Sequence, residues 1–398
     1  MKKLIKSVTV RDSKSNWNDQ QVDILIENST ILEIGKNLIL KDVAVIEGTN
    51  LEIYQKALDG RVHFYLPNGE QRENWDELIS SAQKGGISSM RLFPSGSQPC
   101  QNPESIKFIQ NKGKEESLNL IPVASLTIDN KEENFTDLYD LYRAGARFFT
   151  NGEGRLNNID IMAKSLQYLA PYPVTIIVQP DTKLLSLFGQ MHEGIESTYL
   201  GLKGIPSLSE EMAIKRDLDL LKYTIEHSFG NLNTEFKLHF TCISSYKSVE
   251  LIKQAKKEGL PISADVSINN LCFTDKDLAG FDVNKKVFPP LRSNMDQKAL
   301  WNGLKEGIID YIVSDHLPIE VEHKNVEFGY ADFGSIGLET LFLAFKQNSE
   351  KFKLSNISNY LTYNQAEDFQ IEIQPIEKGN TIQAIITEEK QNTYQLSS

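Results

Sequence analysis

Within the stretch LDGRVHFYLPNG, residues 58–69, Arg61 and His63 are one residue apart, so a β-strand would turn both side chains to the same face. Two imidazoles at such positions, in a pattern Asp-x-His-x-His, would grip a divalent cation. Here the first position is a guanidinium, which stays charged at any accessible pH and repels a metal. A second candidate is Asp315, the carboxylate that closes the apolar run DYIVSD and adjoins His316. The chain has only six histidines, and His192, His227 and His323 fall in loop or helix contexts. One imidazole without partners cannot hold zinc, so His63 reads as a hydrogen-bonded core histidine.

These residues need a scaffold. Short β-rich runs recur along the chain: GRVHF (60–64), SMRLF (89–93), LIPVAS (120–125), ARFFT (146–150), VTIIVQ (174–179), FKLHFTC (236–242), ISADVS (262–267) and DYIVSD (310–315). Helical periods separate most of them. In SYKSVELIKQAKKEG, Val249, Ile252 and Ala255 share a face, and Gly259 with Pro261 ends the helix. In DQKALWNGLKEG, Leu300, Trp301 and Leu304 do the same before Gly307. Ser207 and Glu210 have the spacing of a capping box. Eight βα units predict a (β/α)8 barrel, class α/β, over residues 56–361. Residues 20–53 and 368–396 read as short alternating strands between Asn, Ser and Gly turns. A small β-sandwich built from residues 1–55 and 362–398 is therefore expected.

Composition narrows the function. The 398 residues carry 42 Lys and Arg against 54 Asp and Glu, a net charge of −12, with no dense basic run to meet nucleic acid or an anionic membrane. Lys6, Arg11 and Asp12 interrupt the apolar start before a secretory core is complete, and no long apolar run follows. Cys100, Cys242 and Cys272 are too few and scattered for a disulfide framework, which predicts a cytoplasmic protein.

The segment KVFPPLRSNMDQKALWNGLKEGIIDYIVSDHLPIEVEHK, followed by GSIGLETLF, resembles the dihydroorotases of the amidohydrolase superfamily in residue order and spacing. The resemblance runs from about residue 20 to the C-terminus, with GLKGIPSLSEEMAIKRDLDL and NQAEDF as weaker matches. It implies a barrel whose mouth holds two zinc ions that activate a bridging hydroxide against a cyclic amide. Position by position, the ligands that it implies are exchanged. Its His-x-His is Arg61, Val62, His63; its Asp-Asp-Gly is Thr150, Asn151, Gly152; its His-x-Glu-Asp is Val178, Gln179, Pro180, Asp181; and a sixth-strand imidazole is Cys242, with His239 in a flanking, non-ligand position. Substrate positions differ too: Tyr65 replaces an Arg, Ser95 and Phe288 replace Asn, and Asn269 with Asn270 replaces His-His. Asp315 survives in the place of a ligand and proton shuttle.

Arg61 and Asp315 are expected to form an ion pair at the barrel mouth instead of a metal–carboxylate bond. From this follows the expectation of a metal-free, cofactor-free and catalytically inactive protein. It would have a structural or regulatory role in pyrimidine biosynthesis, beside a partner such as aspartate carbamoyltransferase, and form a homo-oligomer such as a dimer. Two alternatives stand beside it. One is an active hydrolase of cyclic amides with zinc on a reduced site of His63, Cys242 and Asp315. The other is a binder of a small anionic metabolite, in a pocket of Arg61, His63, Tyr65, Ser95, Asn151, Cys242, Asn269 and Phe288.

Overall fold

The computed structural model describes residues 2–40, 43–65, 69, 71–96, 99–228, 230–388 and 393–395. Positions 66–68 of the stretch that raised the question of a metal site lie outside them, as do residues 97–98 of FPSGSQP.

Eight parallel strands follow one another around a barrel: β1 (Ala57–Phe64), β2 (Ile87–Pro94), β3 (Asn119–Ser125), β4 (Phe148–Thr150), β5 (Thr175–Val178), β6 (Lys237–Phe240), β7 (Ile262–Ser267) and β8 (Tyr311–Val313). Every residue of β1 is buried, as expected for a parallel strand covered on both faces. The ring closes between β8 and β1, where Val62 bridges His316 and the His63 N–H donates to the His316 carbonyl at 2.9 Å. Closure brings Asp315 against Arg61 and His63, although some 250 residues separate them in the chain. Asp59 tightens this seam by accepting from the backbone N–H groups of Arg61 and Ser314, at 3.2 and 3.1 Å.

Part of the barrel interior is polar, where aliphatic layers are the norm. Arg91, fully buried, donates to the Gly60 carbonyl, Asp368 and the Tyr311 hydroxyl at 3.0, 2.9 and 2.6 Å. Gly60 makes room for it: a Cβ there would stand 2.7 Å from Arg91 Nη2. Tyr311 in turn donates to Asp368 and stacks on His239, whose other contacts are Ser263 and Asp265.

The terminal module is one hydrogen-bonded sheet of seven strands. Thr393–Gln395, Ala384–Thr387, Glu52–Gln55, Lys2–Val10, Gln21–Glu27 and Thr30–Gly35 lie in that order, and Ala44–Ile46 pairs with Lys2–Val10. It has its own apolar cluster of Ile5, Val10, Ile24, Ile53, Ile382 and Ile386, among others. Its first strand starts at Lys2, well before residue 20, because the apolar residues of KKLIKSVTV pack into that cluster. Of residues 368–396, the described strands take up only Ala384–Thr387 and Thr393–Gln395; Asn364–Phe369 is helical.

The helices Tyr246–Lys257 and Asn294–Lys305 bury the faces that their periodicity predicts, and Gly259 and Gly307 follow them in left-handed conformations. The expected Ser207–Glu210 capping box does not form. Ser207 is already helical in conformation, and the buried Glu210 carboxylate accepts from the Ser244 and Ser245 N–H groups at 2.9 and 3.1 Å, just ahead of helix Tyr246–Lys257. Among the described residues, no helix is long and apolar enough to cross a membrane.

Candidate active site

Arg61 lies at the centre of the barrel mouth, 1% exposed. Its Nε donates to Asp315 Oδ1 at 2.6 Å, and its Nη2 donates to the Glu153 carbonyl at 2.8 Å and to Gln179 Oε1 at 3.0 Å. The guanidinium stacks 4.8 Å above the Phe93 ring. The expected ion pair is therefore present, with both side chains buried. Gln179, next to Val178 where the resemblance would put an imidazole, fixes the guanidinium and donates its own amide to the Phe288 carbonyl at 3.1 Å.

His63 Nδ1 faces Ser95 Oγ at 2.8 Å, and its Nε2 points towards Asp315 Oδ1 at 3.7 Å. Burial, and after it the Arg61 cation, push His63 below the ordinary histidine range, so the ring is neutral near pH 7. Burial alone would raise the Asp315 carboxyl. The Arg61 guanidinium and His63 outweigh that and hold it below the usual aspartate range. Asp315 and Cys242 each lie two residues beyond the end of their strand, in left-handed conformations, φ 55° and 53°. Such strain in non-glycine residues is concentrated at functional sites. Asp59, pushed up to about 6 by burial, lies at the base of this cluster.

The remaining expected pocket residues divide. Cys242 is close to the cluster, fully buried against Tyr311 and Val313, and burial, with Asp315, raises its thiol well above the ordinary range. Tyr65 reaches Glu153 Oε1 at 3.4 Å, and Phe288 packs on Phe333 and under Arg155. Asn151 and Asn269 are turned to other work. Asn151 accepts from Thr127 and donates to the Asn130 carbonyl, and Asn269 donates to Ser335. Four other histidines are paired: His239 with Asp265, His316 with Glu73, His192 with Arg292 and His323 with Asp332.

A pair of zinc ions, which the resemblance implies, does not fit this donor set. A guanidinium occupies the first ladder position and takes up the carboxylate that would bind, while the nearby thiol is held protonated. Among the described residues no group of three or more His, Cys, Asp or Glu is placed to hold an ion, and His63, Cys242 and Asp315 do not make one.

A sequence family described as dihydro-orotase-like matches residues 54–228. A dihydroorotase of Ruminiclostridium cellulolyticum is 34% identical over 86% of this chain and 78% of its own length. Those of Carboxydothermus hydrogenoformans and Bacillus subtilis are 33% and 32% identical, covering 94% and 92% of this chain and 84% of each relative. The chain belongs to the dihydroorotase family. Among solved structures, the L-hydantoinase of Arthrobacter aurescens shares the fold at a TM-score of 0.75 and 20% identity, across 96% of this chain and 86% of that one.

For a dihydroorotase-family chain, these relatives overturn the expectation of an inactive structural or regulatory protein. Named dihydroorotases at this identity, over most of both lengths, support an active enzyme, and nothing observed indicates inactivity. The physical reason lies in what ligand exchange can show. Losing imidazoles removes one way of placing positive charge at the mouth, and Arg61 restores a fixed cation there. Sequence reasoning also missed Glu153 and Gly154. A backbone carbonyl leaves no signature in sequence, but Gly154 follows the exchanged Asn151-Gly152 pair closely enough to have drawn attention.

Proposed function

We propose that this chain is a cyclic-amide hydrolase of the dihydroorotase type, opening the ring of a dihydropyrimidine acid to a ureido acid or closing it again. The observation that carries the proposal is the match to named dihydroorotases over nearly the whole chain. Asp315 is the group we assign to proton handling. Hydrolysis adds water across the ring C–N bond: one proton leaves the attacking water for the carboxylate and is then passed to the departing ring nitrogen. Asp315 is ionised at neutral pH and so able to accept. Arg61 Nε orients the carboxylate, and Ser95 holds His63 beside it.

A carboxylate with a depressed pKa is a weak base, so the site depends on a cation that stabilises negative charge on the substrate oxygen. The three cysteines are free, two of them buried, which supports a reducing cytoplasmic setting. The test is turnover of dihydroorotate and of N-carbamoyl-aspartate by purified protein, followed chromatographically in both directions. The expected result is interconversion that Asp315→Asn abolishes. Absence of turnover in either direction, or activity unchanged by Asp315→Asn, would refute the reading.

A further inference from the structure

Arg61 Nη1 and His63 Nε2 at the mouth are buried polar atoms without partners, on residues each 1% exposed, and Asp59 Oδ2 at its base is a third. Buried donors are nearly always satisfied, so an orphan at a functional site calls for an explanation, such as a catalytic role or a bound ion or water. His63 Nε2 faces the same Asp315 Oδ1 that accepts from Arg61 Nε, whereas Nη1 is the one guanidinium nitrogen engaged by none of Asp315, Gln179 and the Glu153 carbonyl. The Gly154 backbone, at φ +96°, lies close against Nη1, where a Cβ would stand 3.3 Å from Nη1 and from the Gln179 side chain. The other guanidinium contacts are fixed by Asp315, Gln179 and the Glu153 carbonyl, so the free N–H edge has one direction left.

We propose that Arg61 takes the place of a metal in this site, its free Nη1 edge receiving an anionic oxygen of the ligand, so that recognition and turnover need no metal ion. This rests on the proposed function and names the group that supplies the cation it requires. No covalent bond to Arg61 forms. The guanidinium donates hydrogen bonds to the oxygen that gains charge when water adds to the ring carbonyl, and releases it unchanged when the C–N bond breaks. Half-buried groups lie nearby: Glu153 contacts Tyr65 and Arg155, and Arg155 lies over Phe288 at 4.7 Å.

The experiment compares chelator-dialysed protein, its metal content measured by mass spectrometry, with the same protein given zinc. Calorimetric binding of dihydroorotate and N-carbamoyl-aspartate is read beside turnover. Binding and turnover are expected to be equal in the two preparations. Arg61→Lys, which keeps the charge but has one nitrogen for four contacts, should weaken binding by about tenfold or more. Gly154→Ala would put a Cβ 3.3 Å from Nη1, at a φ of +96° that strains alanine; checked for folding by circular dichroism and thermal melting, it should lose affinity similarly. Turnover that disappears on chelation and returns with zinc, or affinity unchanged in both variants, would overturn the inference while leaving the hydrolase reading intact. No binding and no turnover in either preparation would remove the hydrolase reading, and this inference with it.

Discussion

Replacing Asp315 by Asn tests the ion pair on which the architecture of the mouth turns. Asn adopts the left-handed conformation readily, so φ 55° adds little strain and the change isolates the charge. The wild-type pair is buried on both sides, at 2.6 Å, with 2% and 7% of the two side chains exposed. Removing one member leaves the other uncompensated, at a cost of about 3–5 kcal/mol for a buried pair. Asn retains one acceptor for Arg61, and Gln179 and the Glu153 carbonyl remain, which places the expected loss near the lower end, about 3 kcal/mol. Arg61→Met preserves contact with Phe93 and should cost a comparable amount, since Asp315 keeps only His63 at 3.7 Å. The double variant should be more stable than the sum of the two losses implies, with a coupling of about 2–3 kcal/mol.

The assay is a urea double-mutant cycle at pH 7, repeated at pH 3. Because the folded Asp315 pKa is depressed, its stabilisation is present above the ordinary aspartate value and is lost as pH falls through the folded one, so the coupling should shrink in acid. Additivity within about 0.5 kcal/mol at pH 7 would mean that the two charges do not support each other, and would refute the reasoning.

Other elements give sharper, more local expectations. Gly85→Ala would put a Cβ 2.0 Å from the Leu338 carbonyl, so the variant should express poorly or melt far below wild type in a thermal scan. Trp301 is stacked between Phe345 and Phe352, at 5.8 and 4.5 Å, and donates to the Leu271 carbonyl; Trp301→Ala should cost about 3–5 kcal/mol in denaturant titration. Asp12 ties three segments together by accepting from Lys14 N–H, the Tyr363 hydroxyl and Ile376 N–H. Asp12→Ala should cost about 2–4 kcal/mol and raise proteolysis near residue 376. His63 is held neutral, so the unfolded chain alone takes up its proton as pH falls below about 6.5. Stability should therefore fall in that range, and His63→Gln should flatten the slope measured by urea midpoints from pH 7 to 5.

The fold was legible because its signals are local and repeated: eight apolar runs, helical periods between them, and Gly259 and Gly307 as stops. The Arg61–Asp315 pair was legible because opposite charges stood at two positions that a barrel must bring together. What surrounds it was hidden for separate reasons. The third contact of the guanidinium is a carbonyl, at Glu153, which any residue could supply. Ser207 and Glu210 have capping-box spacing, yet the carboxylate is drawn to Ser244 and Ser245 by a tertiary contact that no window of sequence contains. Asn151 and Asn269 carry amides suited to a ligand, but neighbouring loops engage them first. The strand at Lys2–Val10 lies before residue 20, where the alternating pattern of the sequence is read to begin, and Leu4, Ile5, Val8 and Val10 are the buried residues that define it.

The ion pair couples stability and chemistry in opposite directions. Each unit by which Arg61 lowers the Asp315 pKa amounts to about 1.4 kcal/mol in favour of the folded, ionised pair, and removes the same amount from the carboxylate's drive to take a proton. Neutralising Arg61 would make Asp315 a stronger base, but under the proposed mechanism it would also remove the cation assigned to the charge developing on the substrate oxygen. The two effects fall on different sides of the reaction: basicity assists the attack of water, and the cation stabilises what that attack produces. The geometry favours the second, since Nη1 is free while Nε is committed to Asp315. Electrostatic stabilisation of the developing charge is usually the larger contribution to catalysis. A site arranged in this way gives up basicity at Asp315 in exchange for a cation that cannot dissociate.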